Sequence, residues 1–275
     1  MRLIDTHTHL HEPEFAGDID AVVGRARAAG VEALLTLGTD VASSKRAVAL
    51  AERFDGVWAA VGVHPHEASS ADEAALAELR SLARHPRVVA VGEIGLDFYR
   101  NLSPREDQIR VFRRQLEWAE GAGLPVAVHC REAYETITPI IDAWATACGR
   151  ALPDGRPLGV MHYFSGDVEL ARRFAGLGFV ISVHTSVTYP SSWRLQQVAH
   201  ELPLEALVLE TDAPYGAPQP FRGRRNEPAH VVEAARRVAE LRAVPVEEVG
   251  RSTTATAARL LGLAVVPERV GQGGS

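Results

Sequence analysis

The chain has 275 residues, of which 46% are hydrophobic and 23% are charged, and its formal net charge is -6 at pH 7. This length suits one large α/β barrel as well as two ordinary domains. The acidic balance excludes a protein that coats nucleic acid non-specifically, because that role needs an excess of Lys and Arg to displace counterions, so any nucleic-acid contact must be local.

Short apolar runs alternate along the chain with segments rich in Ala, Glu and Arg. We predict eight strands, over Arg2–Asp5, Ala33–Leu37, Val57–Val63, Val88–Gly92, Pro125–Val128, Gly159–Met161, Val180–Val183 and Leu207–Leu209. The segments between them have apolar residues at helical spacing, as at Val231, Ala234, Ala235 and Val238. Strands that are apolar on both faces and alternate with helices predict a parallel sheet covered by helices. Eight such units match an α/β fold of the (β/α)8 TIM-barrel type, and an open doubly wound sheet is the alternative.

Several helix boundaries can be predicted from local residue types. Ser103-Pro104-Arg105-Glu106 predicts a capping box, with Ser103 as the N-cap and Pro104 as the first helical residue. Gly30, Gly123 and Gly178 mark helix ends. We expect one domain over residues 1–264 and a frayed tail over residues 265–275, because the last segment is rich in Gly and contains Pro267.

The cysteine content and the apolar runs indicate the cellular environment. Cys130 and Cys148 are too few for a disulfide framework, and the first residues lack the layout of a signal peptide. No apolar run approaches the roughly 18 to 20 residues that span a bilayer. We therefore expect a cytoplasmic protein without membrane contact, and a monomer.

Polar residues that can bind metals occur at or just after the carboxyl ends of most predicted strands. They are His7 and His9, His64 and His66, Glu93 and Asp97, His129, His162, His184, and Glu210 and Asp212. Taken singly, each has an ordinary structural explanation; Asp212, for example, could form an Asx turn before Ala213-Pro214. In a barrel, however, all of these strand ends face one mouth, where the active site is built. Their convergence therefore predicts a metal site.

The ligand types restrict the metal and its chemistry. Mixed imidazole and carboxylate sites suit Zn, Mn, Fe or Ni, and suit Mg when oxygen ligands and water predominate. Four His with two carboxylates exceed what one tetrahedral ion can use. Two ions bridged by one carboxylate would use all six, and such a pair can ionise a water at neutral pH. Hydrolysis is the reaction that this pattern favours.

Seven motifs in the same order resemble the TatD family of metal-dependent hydrolases, within the amidohydrolase-like TIM barrels. They are DTHTHL at 5–10, GVHPHEA at 62–68, GEIGLDFYR at 92–100, VHCREA at 128–133, HYFSG at 162–166, ETDAPY at 210–215 and PFRGRRNEPAHV at 220–231. The resemblance covers roughly residues 1–263. HxH by itself would be a weak signal, but seven ordered motifs are specific.

The resemblance implies a role for each matching residue. His7, His9 and Asp212 would bind one metal ion, His129 and His162 would bind a second, and Glu93 would bridge them. His64, in the GxHPH position, would contact the substrate phosphate. The family implies a deoxyribonuclease that uses two divalent ions (Mg, Mn or Zn), often as a 3'-5' exonuclease on single-stranded DNA. Some relatives hydrolyse the ester of D-aminoacyl-tRNA instead.

The chain departs from the family pattern at three positions. Pro190 stands where the family usually has Lys, and a histidine, His184, appears nearby. The missing Lys removes a candidate phosphate contact, which puts nucleic-acid affinity or substrate preference in question. Tyr163 replaces the usual Cys of the motif at 162–166. None of these positions is an implied metal ligand.

The mechanistic hypothesis assigns catalysis to Asp212, Glu93 and His64. Two ions would activate a water held between them, Asp212 would accept its proton, and His64 would stabilise negative charge on the phosphoryl oxygens. Candidate substrate contacts are Arg222, Arg224 and Arg225 for flanking phosphates, and Tyr99, Arg100, Phe221 and Arg131 for bases or phosphates. For each of these a structural role within the barrel is an equal alternative.

Two other functions remain open from the sequence. The same metal-activated water could attack a carbonyl carbon, which would make the protein an amidase, a lactonase or a D-aminoacyl-tRNA deacylase. A binding protein with a relict metal site would be expected to lack ligands. All six implied ligands are present, so hydrolysis is favoured.

Overall fold

The computed structural model describes residues 1–264. The strands are β1 (Leu3–Thr8), β2 (Val31–Leu37), β3 (Val57–Val61), β4 (Val88–Asp97), β5 (Val126–Arg131), β6 (Gly159–Met161), β7 (Phe179–His184) and β8 (Leu207–Glu210). The α-helices are α1 (Ile19–Ala28), α2 (Val41–Arg53), α3 (Glu73–Leu82), α4 (Arg105–Ala122), α5 (Tyr134–Ala147), α6 (Val168–Gly176), α7 (Trp193–Glu201), α8 (Val231–Arg242) and α9 (Val246–Leu261).

The eight strands form one parallel sheet in sequence order. The two edge strands meet next to Thr8, which forms a parallel bridge with Ala213. His9 donates its backbone N–H to the Ala213 carbonyl at 2.7 Å, and Asp212 donates its own to the His7 carbonyl at 2.9 Å. The sheet therefore curls into a nearly closed barrel, and the predicted (β/α)8 architecture is confirmed.

Apolar residues fill the interior at the amino-terminal end of the barrel. Ile4, Leu35 and Val180 belong to one buried cluster together with Leu260 and Leu261 of α9. Helix α9 thus covers this end, and Thr254 anchors it by donating its hydroxyl to the Arg2 carbonyl at 2.9 Å. With this end closed by apolar packing, the polar side chains inside the barrel are concentrated at the opposite, carboxyl-terminal end.

The strands extend past their predicted ends on the carboxyl-terminal side. β4 was predicted to end at Gly92 and continues to Asp97, and β5 continues from Val128 to Arg131. The apolar pattern stops earlier because side chains there face the polar mouth, while the backbone ladder goes on. At Gly95 the backbone has φ +143°, and a Cβ atom would lie 1.9 Å from the His129 carbonyl oxygen. Glycine is therefore required for this approach of β4 to β5.

The predicted capping box at Ser103 is wrong. Helix α4 begins at Arg105, and no side chain caps it. The Ser103 hydroxyl instead donates to the His66 carbonyl at 2.7 Å and accepts the Ser69 N–H at 3.0 Å, so it connects two loops of the mouth. The predicted helix ends are confirmed, since Gly123 caps α4 with φ +63°.

Two further expectations concern the tail and the membrane. The predicted tail, residues 265–275, lies outside the described residues. Among residues 1–264, no helix combines the length and the apolar character that crossing a bilayer requires.

Candidate metal centre

The barrel mouth brings together all six side chains that the sequence analysis assigned to metal. His7 is in β1 and His9 follows it, Glu93 is in β4, and His129 is in β5. His162 directly follows β6, and Asp212 is the second residue after β8. Each of these strands ends at the same rim, because parallel strands of a barrel share their direction. His64 follows β3 and joins the same group.

The two carboxylate oxygens of Glu93 contact different histidines. Oε2 lies 3.3 Å from Nε2 of His7 and 3.4 Å from Nε2 of His9. Oε1 lies 2.9 Å from Nδ1 of His129 and 3.5 Å from Nε2 of His162. A carboxylate that faces two sets of imidazoles with separate oxygens is arranged as a bridging ligand would be.

Asp212 completes the first of these sets. Its Oδ1 lies 3.5 Å from Nε2 of His9 and 3.9 Å from Nε2 of both His7 and His162. The residue has φ +60°, a left-handed conformation that costs free energy and recurs at functional sites. Its side chain is 14% exposed, against none for His7. Of the two carboxylate ligand candidates, Asp212 is therefore the more open to the mouth, since the side chain of Glu93 is 4% exposed.

The donor set fits divalent cations. Three overlapping groups place ligand atoms close enough to share an ion, namely His7, Glu93 and His162; His7, His9 and Asp212; and His64, Glu93 and His129. Nδ1 of His129, which faces Glu93, is buried without a well-aligned hydrogen bond, which is rare for buried polar atoms and is typical of an atom that has another partner. Imidazole nitrogens and carboxylate oxygens together suit Zn, Mn and, with added water, Mg.

The surrounding imidazoles keep Glu93 ionised although its side chain is buried. Burial alone would raise the pKa of Glu93, but His64, His7 and His162 outweigh it and hold this pKa well below its usual value. Burial likewise opposes the charge of His9, yet its contacts with Asp212 and Glu93 raise its pKa well above the usual value. The centre therefore carries an ionised carboxylate among imidazole nitrogens, and this negative charge favours a bound cation.

The two histidines of the GVHPH motif have different surroundings. His64 is 8% exposed, and burial, with repulsion from His129 and His66, lowers its pKa well below the usual value. Its Nδ1 accepts the backbone N–H of His66 at 3.1 Å. The ring of His66 contacts Asp97, with Nε2 2.8 Å from Oδ2. His64 is therefore neutral and has one nitrogen already occupied.

The centre opens into a cavity of about 820 Å³. Arg100, Arg131, Tyr163 and Tyr215 line it. The Arg131 guanidinium lies over the Tyr99 ring, 3.9 Å from its centroid, and Tyr99 is 56% exposed. Of the predicted substrate contacts, Arg131 therefore lines the cavity, and Tyr99 lies next to Arg131.

The three arginines of the loop after β8 have different surroundings. Arg225 donates to Asp18 through two hydrogen bonds of 2.7 Å, to the Glu14 carbonyl at 2.6 Å and to Glu227 at 3.1 Å. Arg222 and Arg224 are exposed. None of the three is among the residues that line the cavity. Phe221 stacks on His230 with 4.1 Å between ring centroids.

Several residues around the centre were not assigned a role from the sequence. Asp97 lies 3.4 Å from Nε2 of His129, and Glu210 lies 3.0 Å from Nδ1 of His162. The sequence signal for both was their place at a strand end, but that signal does not distinguish a ligand from its neighbour. Two of the three departures from the family pattern are in contact, because Tyr163 stacks on His184 with 3.7 Å between ring centroids.

Comparisons with known proteins place the chain among metal-dependent hydrolases. The model of the TatD-related DNase family matches residues 4–262. The chain is 38% identical over 259 residues to YabD of Bacillus subtilis, named as an uncharacterized metal-dependent hydrolase, with 94% of this chain and 98% of the relative covered. It is 36% identical over 263 residues to the 3'-5' ssDNA/RNA exonuclease TatD of Cronobacter turicensis, covering 94% of this chain and 97% of the relative.

The fold comparison leads to the same family. The crystal structure of YjjV, a TatD homologue from Escherichia coli, superposes with a TM-score of 0.88 at 34% identity, over 96% of this chain and 99% of that chain. The family match and these relatives extend over nearly the whole of residues 1–264. The chain therefore belongs to the TatD-related DNase family of metal-dependent hydrolases.

Proposed function

We propose that the protein is a divalent-metal-dependent phosphodiesterase that removes nucleotides from single-stranded DNA in the 3'-5' direction. The observation that carries the proposal is that the two carboxylate oxygens of Glu93 face different histidines. Oε2 faces His7 and His9, and Oε1 faces His129 and His162. The name of the Cronobacter relative, an ssDNA/RNA exonuclease, supports the substrate class.

The proposed ligand assignment follows the two faces of Glu93. His7, His9 and Asp212 would hold one divalent ion, His129 and His162 would hold another, and Glu93 would contribute one oxygen to each. Bound Mg, Mn or Zn ions would supply Lewis-acid stabilisation of the phosphate and lower the pKa of water. The chain's own residues would position the substrate and transfer the proton.

Asp212 is the proposed proton acceptor. Its side chain is the most exposed of the proposed carboxylate ligands, at 14% against 4% for Glu93, so an attacking water can reach it from the mouth. The backbone of this residue is fixed on both sides, because its N–H donates to the His7 carbonyl at 2.9 Å and its carbonyl accepts the Tyr215 N–H at 2.8 Å. This fixed position orients the carboxylate before the substrate arrives.

His64 is the proposed donor to the phosphoryl oxygens. Since its Nδ1 accepts the His66 N–H, the neutral ring must carry its hydrogen on Nε2. Nε2 lies 3.5 Å from Oε1 of Glu93, at the centre where the reacting phosphate would bind. A protonated Nε2 cannot ligate a metal, and this tautomer therefore favours substrate contact over ligation for His64.

The shape of the mouth favours a single strand. His7 and Glu93 are 0% and 3% exposed, so the scissile phosphate must enter the barrel mouth to reach them. One flexible strand can do this, whereas a paired duplex is wider and stiffer. Arg100 and Arg131 line the cavity and would bind phosphates, and the exposed rings of Tyr99 and Tyr215 offer surfaces on which bases stack.

The decisive experiment is digestion of end-labelled single-stranded DNA by metal-free protein reconstituted with Mg, Mn or Zn. We expect progressive shortening from the 3' end, and two bound ions per chain by elemental analysis. RNA, D-aminoacyl-tRNA and simple lactones serve as parallel substrates. Rapid hydrolysis of a carbonyl ester with intact DNA would replace this function with that of a deacylase or lactonase.

A further inference from the structure

His129 lies between two carboxylates that occupy opposite edges of its ring. Nδ1 is 2.9 Å from Oε1 of Glu93, and Nε2 is 3.4 Å from Oδ2 of Asp97. Asp97 is 1% exposed and is itself fixed, because its Oδ1 accepts the Arg100 N–H at 2.7 Å and its Oδ2 contacts His66 at 2.8 Å. Asp97 therefore places a fixed negative charge behind Nε2, which stabilises the ring hydrogen on Nε2 when Nδ1 holds a cation at the centre.

His162 has the same arrangement with its two nitrogens exchanged. Nε2 faces Oε1 of Glu93 at 3.5 Å, and Nδ1 faces Oε1 of Glu210 at 3.0 Å. Glu210 is completely buried, and its Oε1 also accepts the Tyr163 N–H at 2.8 Å. Glu210 therefore places its negative charge behind Nδ1, which stabilises the ring hydrogen of His162 on Nδ1 when Nε2 holds a cation, opposite to its place on His129.

The histidines on the other face of Glu93 lack such carboxylates. His9 has its Nδ1 3.1 Å from the Leu37 carbonyl oxygen, which is a neutral partner. His7 contacts Glu93 and Asp212 through Nε2, and its buried Nδ1 faces no carboxylate among the described residues. A carboxylate behind an imidazole makes it a more basic ligand and fixes its orientation, whereas a carbonyl does so more weakly.

We infer that Asp97 and Glu210 are positioning residues that hold His129 and His162 in opposite tautomers and thereby set the affinity of one half of the centre for its divalent cation. The inference rests on the proposed two-ion centre. Loss of either negative charge should weaken the ion held by His129 and His162, and leave the ion held by His7, His9 and Asp212 almost unchanged.

The first test is calorimetric titration of metal-free protein with Mn²⁺, for the wild type and for Asp97→Asn and Glu210→Gln. We expect two ions in the wild type, and in each variant one site weakened by about 10- to 100-fold with the other within about threefold. Glu67→Gln is the matched control, because Glu67 also lines the cavity but is exposed; it should alter neither site. Unchanged binding in both variants, or equal weakening of both sites, would overturn the inference.

The second test needs no variant and separates this inference from the proposed function. Long-range ¹H–¹⁵N spectra of Zn²⁺-loaded wild-type protein with ¹⁵N-labelled histidine report which ring nitrogen carries hydrogen. We expect Nε2–H on His129 and Nδ1–H on His162. The same tautomer on both rings would overturn the inference even if two ions bind and DNA is cleaved. Conversely, a wild type that binds one ion would contradict the two-ion proposal, while opposite tautomers would still support the positioning roles.

Discussion

Gly95 and His129 lie on paired strands that approach so closely that a Cβ atom on Gly95 would lie 1.9 Å from the His129 carbonyl oxygen. The pairing sets β4 against β5 next to the contact between Glu93 and His129, where Oε1 and Nδ1 are 2.9 Å apart. The geometry of the metal centre therefore depends on a backbone contact as well as on its ligands.

Gly95→Ala should lower the free energy of unfolding by roughly 2–4 kcal/mol, because the new methyl group collides with fixed backbone and the residue keeps a positive φ. Thermal or urea unfolding of metal-free protein measures this change. Gly121→Ala is the control. Gly121 lies in α4, and beyond the helix's own backbone a Cβ atom there would meet nothing within 4 Å. That variant should be neutral or slightly stabilising. Equal effects of the two substitutions would refute the close-contact argument.

Glu93→Ala should abolish nearly all turnover and prevent binding of two ions, while the barrel remains folded. Water cannot replace a carboxylate that faces two sets of imidazoles, and the remaining histidines repel one another when protonated. Elemental analysis, circular dichroism and DNA digestion measure the three properties. Hydrolysis near the wild-type rate would show that the proposed mechanism is wrong.

His64→Ala should keep its metal content and lose about 10- to 1,000-fold in kcat, the range expected for one charge-stabilising donor. His64→Gln, which retains an N–H donor, should recover part of that loss. If His64→Ala binds fewer ions than the wild type, His64 is a metal ligand and its assigned tautomer is incorrect.

Arg224→Met and Arg225→Met should affect different properties. Arg224 is exposed, and as a phosphate contact its loss should reduce the slope of log affinity against log salt for single-stranded DNA by about 1. Arg225 already forms ion pairs with Asp18 and Glu227. Its loss should therefore lower the free energy of unfolding by roughly 1 kcal/mol and leave the salt dependence of DNA affinity unchanged. A reduced slope in Arg225→Met would instead place this residue on the substrate.

Tyr99→Ala should raise KM for single-stranded DNA by about 5- to 100-fold, because stacking of one base contributes roughly 1–3 kcal/mol. Tyr99→Phe keeps the aromatic face and should behave like the wild type. Steady-state kinetics on oligonucleotides distinguishes them. If both variants lose affinity equally, the hydroxyl and not the ring face makes the contact.

The sequence by itself determined the barrel, the family and the set of candidate ligands. Eight apolar runs alternating with helical segments can be recognised because burial imposes a local pattern on each element. The HxH pair and the residues at strand ends such as Glu93 and Asp212 were recognisable for a related reason. A polar residue that ends an apolar run must face the mouth or solvent, and a mouth shared by all strands collects them.

Only the tertiary structure decided which atoms meet. In the sequence, Asp97 and Glu210 follow or end apolar runs just as Glu93 does, and nothing local distinguishes a carboxylate facing the centre from one behind a histidine. Likewise, the basic run at Arg222–Arg225 gave no indication that Arg225 pairs with Asp18, because that contact joins residues far apart in the chain. Such contacts arise from the closure of the barrel and the packing of its loops, so local residue patterns do not predict them.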